Sequence, residues 1–305
     1  MKAYLGVTNI DWFHLLASQS DVHEANFWRP YGDREFRALD IGDVFLFKSK
    51  SPDNRIVGGG IFEGFLGLTI ADAWDCFGVG NGAQSLEQFV SRIEQTTGQK
   101  AIDAWERRIG CILLRDLIWF SPSFPQPNDF SREIVQGKTY KLGDAPEEVE
   151  IAAQGVLVQS LAFGPGGWEA EQPATRGAPI LTIPRLGQGG FRARTLEAYG
   201  GRCVITQHKI KPTLQAAHIL PVAKGGAHRI DNGILLRSDV HTLFDRGYLA
   251  VDTERRLIVS RRLRTEFGNG EEFYSREGLT IGAPLRVEDS PNSEFLEWHR
   301  SHVFK

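Results

Sequence analysis

Between Leu214 and Tyr248 the chain reads LQAAHILPVAKGGAHRIDNGILLRSDVHTLFDRGY, which sets His218, Asn232 and His241 in a telling order. Each residue type suits a separate job. A histidine at a strand end can deprotonate water near neutral pH. An asparagine beyond a Gly-rich loop can pin the geometry, and a histidine on the next helix can hold a metal ion. Asp245 follows His241 by four residues, so on a helix both side chains share one face and can grip the same ion. Taken singly, each has an ordinary reading: His218 as a hydrogen-bonded structural histidine, Asn232-Gly233 as a turn, Asp245 as a helix-end residue. Taken in this order, they read as a hydrolytic site with one metal.

These residues resemble the HNH endonuclease family. The likeness rests on His218 within AAHILP, Asn232 within DNG, His241 within VHTLFD and the pair Gly225-Gly226. It extends from about Pro184, through GGFRARTLEAYGGRCVIT, to the tail LEWHRSHVF. It implies a ββα-metal fold and cleavage of phosphodiesters to 5′-phosphate and 3′-hydroxyl ends. Such cleavage needs an activated water and a cation to neutralise charge on the leaving oxygen. His218 is expected as general base, and His241 and Asp245 as ligands of one divalent ion such as Mg or Mn. Asn232 either joins the metal shell or orients His218. Two departures stand out. Ala217 occupies the place where many HNH sites carry a further ligand. Where many carry two Cys pairs, this chain has Cys203 with Thr206 and Arg237 with Val240. No structural zinc is expected there; apolar packing of Phe191, Leu196 and Tyr199 with Leu214, Ile219, Leu235, Leu236 and Leu243 must brace the domain instead.

The elements that position this site occupy only the last two-fifths of 305 residues, a length that suggests two domains. The net charge of −3 is unevenly shared: from residue 186 on there are 18 Lys+Arg against 14 Asp+Glu, leaving 17 against 24 before it. Arg237, Arg261 and Arg262 are the candidate phosphate contacts, with a solvated, ion-paired surface as the alternative. Cys76, Cys111 and Cys203 are too few and too scattered for a disulfide framework. The start MKAYLGVTNIDWF does not read as a signal peptide, and no run approaches a membrane span, so a cytoplasmic protein is expected.

The first segment is rich in short apolar runs bounded by turn residues. AYLGVTNI, DVFLFKS and RIVGGGIFEG read as strands of a small barrel, CILLRDLIWFSP as a buried strand ending at Pro122. Leu86, Phe89, Val90 and Ile93 have helical spacing between the cap Ser85 and the stop Gly98. EEVEIAAQGVLVQSL can form a helix interrupted at Gly155, and the Gly/Pro-dense stretch after it reads as a connector. The expected organisation is therefore α+β: a domain over 1–145, a linker over 146–183 and the HNH domain over 184–305.

YLGVTNIDWF, then NFWRP, GDVFLF at Gly42–Phe47 and the Gly-rich return at Val57–Gly60 resemble the EVE and YTH branch of the PUA-like superfamily, over about the first 120 residues. The resemblance implies a pocket for a modified base that has left its stack, which needs a flat apolar wall and polar groups for the base edge. Trp28 matches the cage tryptophan, Trp74 is a candidate second wall, and Asn9, Asp11 and Trp12 lie where edge-reading groups belong. For each tryptophan a core role is the alternative. Together the two resemblances imply a modification-dependent restriction endonuclease acting on double-stranded DNA that carries 5-methyl- or 5-hydroxymethylcytosine. A homodimer is the simplest way to cut both strands. Two other readings stay open: a reader of modified bases with a non-cutting HNH domain, and a nuclease whose first domain binds a partner.

Overall fold

Two compact units, Met1–Gly190 and Phe191–Lys305, make up the computed structural model, which describes residues 1–32, 35–131, 133–162 and 187–305. In the first unit the alternating runs form one six-stranded mixed sheet. Its strands are β1 (Lys2–Thr8), β2 (Glu24–Arg29), β3 (Val44–Ser49), β4 (Arg55–Thr69), β5 (Arg108–Pro125) and β6 (Gly137–Lys141), hydrogen-bonded in the order β2-β5-β4-β3-β1-β6. β1 and β3 run parallel, and every other pair is antiparallel. Strict alternation sorts their side chains. Ala3, Leu5, Val44 and Leu46 face one core, while Tyr4, Phe45 and Phe47 face an aromatic one.

The sheet is rolled. Phe27 of β2 lies 4.7 Å from Phe45 of β3 between ring centroids, although β5 and β4 intervene in the ladder. A flat sheet would separate those strands by about 14 Å. At the seam, Arg29 Nη2 donates to Gln136 Oε1 at 2.7 Å, joining the end of β2 to the residue before β6. The small-barrel expectation thus takes the form of a curled sheet around aromatic rings. β5 continues past Pro122, where the sequence suggests a stop.

Among the described residues, α1 (Ile10–Ala17), α2 (Ile70–Phe77), α3 (Leu86–Thr97) and α4 (Glu147–Ala162) decorate this unit. α3 has the expected boundaries, with Ser85 accepting from Gln88 N and Gly98 at φ +70°. α4 runs through Gly155 without a break. A mid-helix glycine costs about 1 kcal/mol, and burial of Val149 and Val156 returns about 1.5–3 kcal/mol each. Gly155 faces the Phe120 ring at a distance where a Cβ would make ordinary contact, 3.4 Å. The helix therefore packs on the sheet rather than serving as a connector. Gly59 makes room for it from the sheet side, since a Cβ would come within 2.8 Å of both Phe45 O and Val156. The Gly/Pro-rich stretch lies outside the described residues from 163 to 186.

The second unit takes in most of α5 (Gln188–Ala198). It continues with the antiparallel pair β7 (Leu214–His218) and β8 (Gly233–Arg237) and then α6 (Ser238–Asp245), the ββα order the motif implies. β9 (Leu249–Val251) and β10 (Leu257–Val259) form a second hairpin, followed by α7 (Arg262–Phe267), α8 (Glu271–Tyr274) and α9 (Ser293–His302). One apolar core joins them, including Leu196, Tyr199, Leu214, Ile219, Leu235 and Leu236, with Leu243 at its margin. Cys203 is buried within it, and its Sγ accepts from Thr206 N at 3.4 Å, closing the turn at the first cysteine position. No described helix is long and apolar enough to cross a membrane.

Candidate active site

His218 is the last residue of β7 and pairs with Gly233, the first of β8. The glycine there is required by packing: a Cβ would fall 2.8 Å from the Phe191 ring. Phe191 uses that space to stack on His218, with centroids 4.0 Å apart and planes at 11°. On its edge, His218 Nε2 lies 3.1 Å from Nδ1 of His228, a residue of the loop between the strands. The imidazole is thus fixed in plane by a ring and in rotation by a second imidazole.

Asn232 is fully buried and occupied. Its Oδ1 accepts from Leu220 N at 2.8 Å, while Nδ2 donates to Leu220 O at 2.9 Å and Ala227 O at 3.0 Å. Its own carbonyl accepts from Ile219 N at 2.9 Å. These bonds tie the two ends of the Gly-rich loop together beside His218. Gly226 permits the closure, because a Cβ there would strike Leu220 O at 1.9 Å. Of the two roles open for Asn232, these bonds fit the brace: both Nδ2 protons and one lone pair of Oδ1 are spent on the loop.

His241 and Asp245 share one face of α6, with Nε2 and Oδ2 at 3.3 Å. The other ring nitrogen, Nδ1, lies 2.8 Å from Gln215 Oε1 on β7. An amide oxygen accepts only, so His241 donates from Nδ1, and Nε2 faces Asp245. That is the arrangement of a metal-binding histidine held by an outer acceptor. Partial desolvation raises the Asp245 carboxyl above its ordinary range, and His241 pulls it back. Among the described residues no set of three His, Cys, Asp or Glu converges on one point; the pair His241 and Asp245 would offer an ion two donors. A hard divalent ion accepts that, since water and phosphate oxygens fill its remaining positions.

The basic candidates are differently placed. Arg237 is engaged by Asp239 (2.6 Å) and Glu272 (3.1 Å), and Arg262 by Glu266. For these two, the ion-paired alternative is what the structure contains; Arg261 is exposed just before α7.

In the first unit the five candidate pocket residues have different immediate partners. Asn9 caps α1, accepting from Asp11 N at 2.9 Å, and Asp11 is exposed in the first turn. Trp12 is corrected from an edge-reading group to core. It is 5% exposed and packs against Phe27, Phe47 and Trp119. Trp28 and Trp74 each pack against Phe89 of α3, with ring centroids 5.7 and 6.4 Å from it. Trp28 also donates from Nε1 to Asn81 O at 3.2 Å. Trp12 lies against the next residue, Gly82, where a Cβ would overlap its indole.

Sequence reasoning missed Phe191, Gln215 and His228 as parts of the site. Gln215 sits three residues before His218, and His228 four before Asn232, so proximity along the chain was the only available signal.

Residues 203–252 match the family model described as HNH endonuclease. No curated protein matches the sequence. Among solved structures, ASCH from Zymomonas mobilis is similar over 37% of this chain and 67% of its own, at 13% identity and a TM-score of 0.26. A modification-dependent TagI restriction endonuclease is similar over 97% of this chain and 81% of its own, at 13% identity and a TM-score of 0.27. Overlaps that low carry no weight for fold or function. The matched segment spans β7, β8 and α6, with His218, Asn232 and His241 in place: the second unit of this chain carries an HNH endonuclease domain.

Proposed function

We propose that this chain is a metal-dependent endonuclease that cuts double-stranded DNA bearing 5-methyl- or 5-hydroxymethylcytosine. The observation that carries the cutting half is the immobilised His218, stacked on Phe191 and bonded to His228 at the mouth of the HNH hairpin. His218 takes the proton of the attacking water. Asn232 keeps the loop closed beside it, and Gln215 holds the His241 ring so that Nε2 and Asp245 present their lone pairs together. A divalent ion held there would supply positive charge against the leaving oxygen. The products carry 5′-phosphate and 3′-hydroxyl ends.

The selective half rests on the EVE/YTH-like pattern of the first 120 residues and on Trp28 and Trp74, which offer aromatic surface around Phe89. A flipped cytosine loses its stacking neighbours, and an indole face replaces them. One HNH site cuts one strand, so a homodimer completes the break.

The test uses matched plasmids bearing cytosine, 5-methylcytosine, 5-hydroxymethylcytosine or N6-methyladenine, incubated with Mg or Mn and followed by end analysis. Cutting confined to the modified-cytosine plasmids is expected. Equal cutting of all four removes the selective half, and no cutting of any removes both.

A further inference from the structure

Three segments of the second unit that are distant in sequence are stitched together at the end of α6. Ser260 N donates to Tyr248 O at 2.9 Å, Lys305 N donates to Gly247 O at 3.0 Å, and Ser260 Oγ donates to Lys305 O. Gly247 sits at φ +76°, and a Cβ there would strike Val303 O, so glycine lets residues 303–305 lie against this turn. Each segment brings a cation. Arg246 precedes Gly247, Arg261 follows Ser260, and Lys305 Nζ lies 5.8 Å from the centre of the Tyr248 ring. All three side chains are exposed, and among the described residues none of them is in an ion pair.

Glu266 is held by Tyr248 Oη at 2.7 Å and by Arg262. It raises the pKa of that hydroxyl, with Arg262 and Arg246 opposing, so both guanidinium groups stand within electrostatic reach of Tyr248. Arg246 has a plainer reading, because a cation at a helix C-terminus complements the dipole. Yet backbone already closes this helix end: the carbonyls of Thr242, Leu243 and Phe244 accept from the N–H groups of Arg246, Tyr248 and Gly247 at 3.1, 2.9 and 3.0 Å. Arg246, Arg261, Arg262 and Lys305 thus gather about Glu266, more positive charge than that one carboxylate neutralises, and such a surplus suits a polyanion.

Its place gives it a use. Arg246 directly follows Asp245, about 3.8 Å on along the backbone, and Asp245 faces His241. A DNA strand carries a charge about every 3.4 Å along the helix axis. With its scissile phosphate at that pair, it must run the flanking phosphates over the adjoining surface. We propose that Arg246, Arg261 and Lys305 form a phosphate clamp that holds the cut strand beside His241 and Asp245. Phosphate contacts carry no sequence information, so the clamp positions the strand and leaves selectivity to other parts. Its place in the reaction rests on the endonuclease reading, whereas its phosphate binding can be measured without cleavage.

The experiment titrates the full chain, in chelator so that nothing is cut, against a fluorescein-labelled duplex carrying one 5-methylcytosine and against its unmodified twin, by anisotropy at several KCl concentrations. Arg246→Gln, Arg261→Gln and Lys305→Gln should each weaken both duplexes alike and reduce the slope of log affinity against log salt by about 0.9. Arg264→Gln should keep the parental slope, since Arg264 is paired with Glu271 and lies over the Tyr274 ring. In saturating Mg, Arg246→Gln should raise KM on plasmid and leave kcat close to the parent, the sign of lost ground-state binding. Should Arg246→Gln not fold, the slopes of Arg261→Gln and Lys305→Gln decide. Parental slopes in the folded variants overturn the proposal, with or without a lowered melting midpoint, as does a parent that binds neither duplex. If the slopes fall as expected but the parent cuts no plasmid, the clamp stands and the endonuclease reading fails. A parent that cuts, with variants that keep its slope, does the reverse.

Discussion

The two units treat their candidate residues in opposite ways. In the second, His218 ends β7, Asn232 immediately precedes β8, and His241 and Asp245 lie on α6, so all four come from one hairpin and the helix that follows, and each has a partner that leaves its chemistry intact or supports it. In the first, several candidates are drawn into other tasks. Asn9 is spent on a helix cap, Trp12 on the aromatic core, and Trp28 partly on a bond to Asn81. Compact local motifs hold their geometry through neighbours in sequence, while a pocket assembled from distant elements shares its residues with the fold.

The largest expected effect breaks or upholds the second unit's side of that contrast. His218→Ala should lower cleavage by about 10²- to 10⁴-fold, the usual contribution of a positioned general base, with DNA binding and thermal midpoint close to the parent. The check is a rate measurement in saturating Mg or Mn beside a melting curve. Parental cutting by a folded variant would mean that His218, like Trp12, only holds structure.

A second histidine sharpens the distinction, because His299 is also stacked on a phenylalanine but has a different task. It is 3% exposed, lies 3.7 Å from the Phe244 ring and donates from Nε2 to Phe244 O at 3.1 Å. Its Nδ1 is buried without a hydrogen-bond partner among the described residues. Burial pushes its pKa from 6.5 to about 4, against the opposing pull of that carbonyl. The unfolded chain gains a proton at this residue as the pH falls through 6.5, while the folded chain resists until about 4. Stability therefore falls across that window on acidification, by about 3 kcal/mol at its acid end, and returns as the pH rises. His299→Phe keeps the stack and has no group to titrate; Phe244 O still accepts from Gly247 N. Urea midpoints at pH 7 and pH 4.5 should drop less in this variant than in the parent, and parallel drops would refute the assignment.

How much was legible follows the same divide. The ββα order is what the family resemblance implies, while the α3 caps and the apolar set that braces the second unit are written in spacing, because a short hairpin and one helix keep sequence neighbours together. The roles inside that motif were less visible. Whether Asn232 ligates or braces depends on where Leu220 and Ala227 point their backbone, and spacing does not encode that. In the first unit, strand positions were readable but not their order. β2 pairs with β5, more than 70 residues later, and the curl that follows buries Trp12 while leaving Trp28 on the opposite face of β2 from Phe27. α4 was obscured by Gly155, a helix-weakening residue that the packing of Val149 and Val156 on the sheet overrides.

The third prediction seeks to break the contrast from the first unit's side. If Trp28 provides a stacking face, Trp28→Ala should weaken binding to modified duplex by about 1–3 kcal/mol, roughly five- to 150-fold, and leave unmodified duplex nearly unaffected. Trp28→Phe, which retains a ring against Phe89, should fall between them. Titrations of matched duplexes alongside circular dichroism check this. Unchanged discrimination in a folded Trp28→Ala protein would make Trp28 purely structural, and the first unit would have no tested reading surface except Trp74.

The smallest effect concerns a residue that touches neither water nor phosphate in the proposed reaction. Gln215 Oε1 lies 2.8 Å from His241 Nδ1, and its only evident consequence is to keep that proton on Nδ1 and Nε2 toward Asp245. Gln215→Ala should therefore weaken metal affinity by about 10- to 100-fold, as loss of an outer-shell acceptor usually does. Added metal should restore most of the cleavage rate, which it cannot do for His218→Ala. Gln215→Glu also accepts from Nδ1, so its affinity should stay at or above the parental level. Calorimetric titration with Mn at fixed pH separates these cases. Parental affinity in Gln215→Ala would show that His241 needs no outer partner, and that the order of the second unit extends less far than its hydrogen bonds suggest.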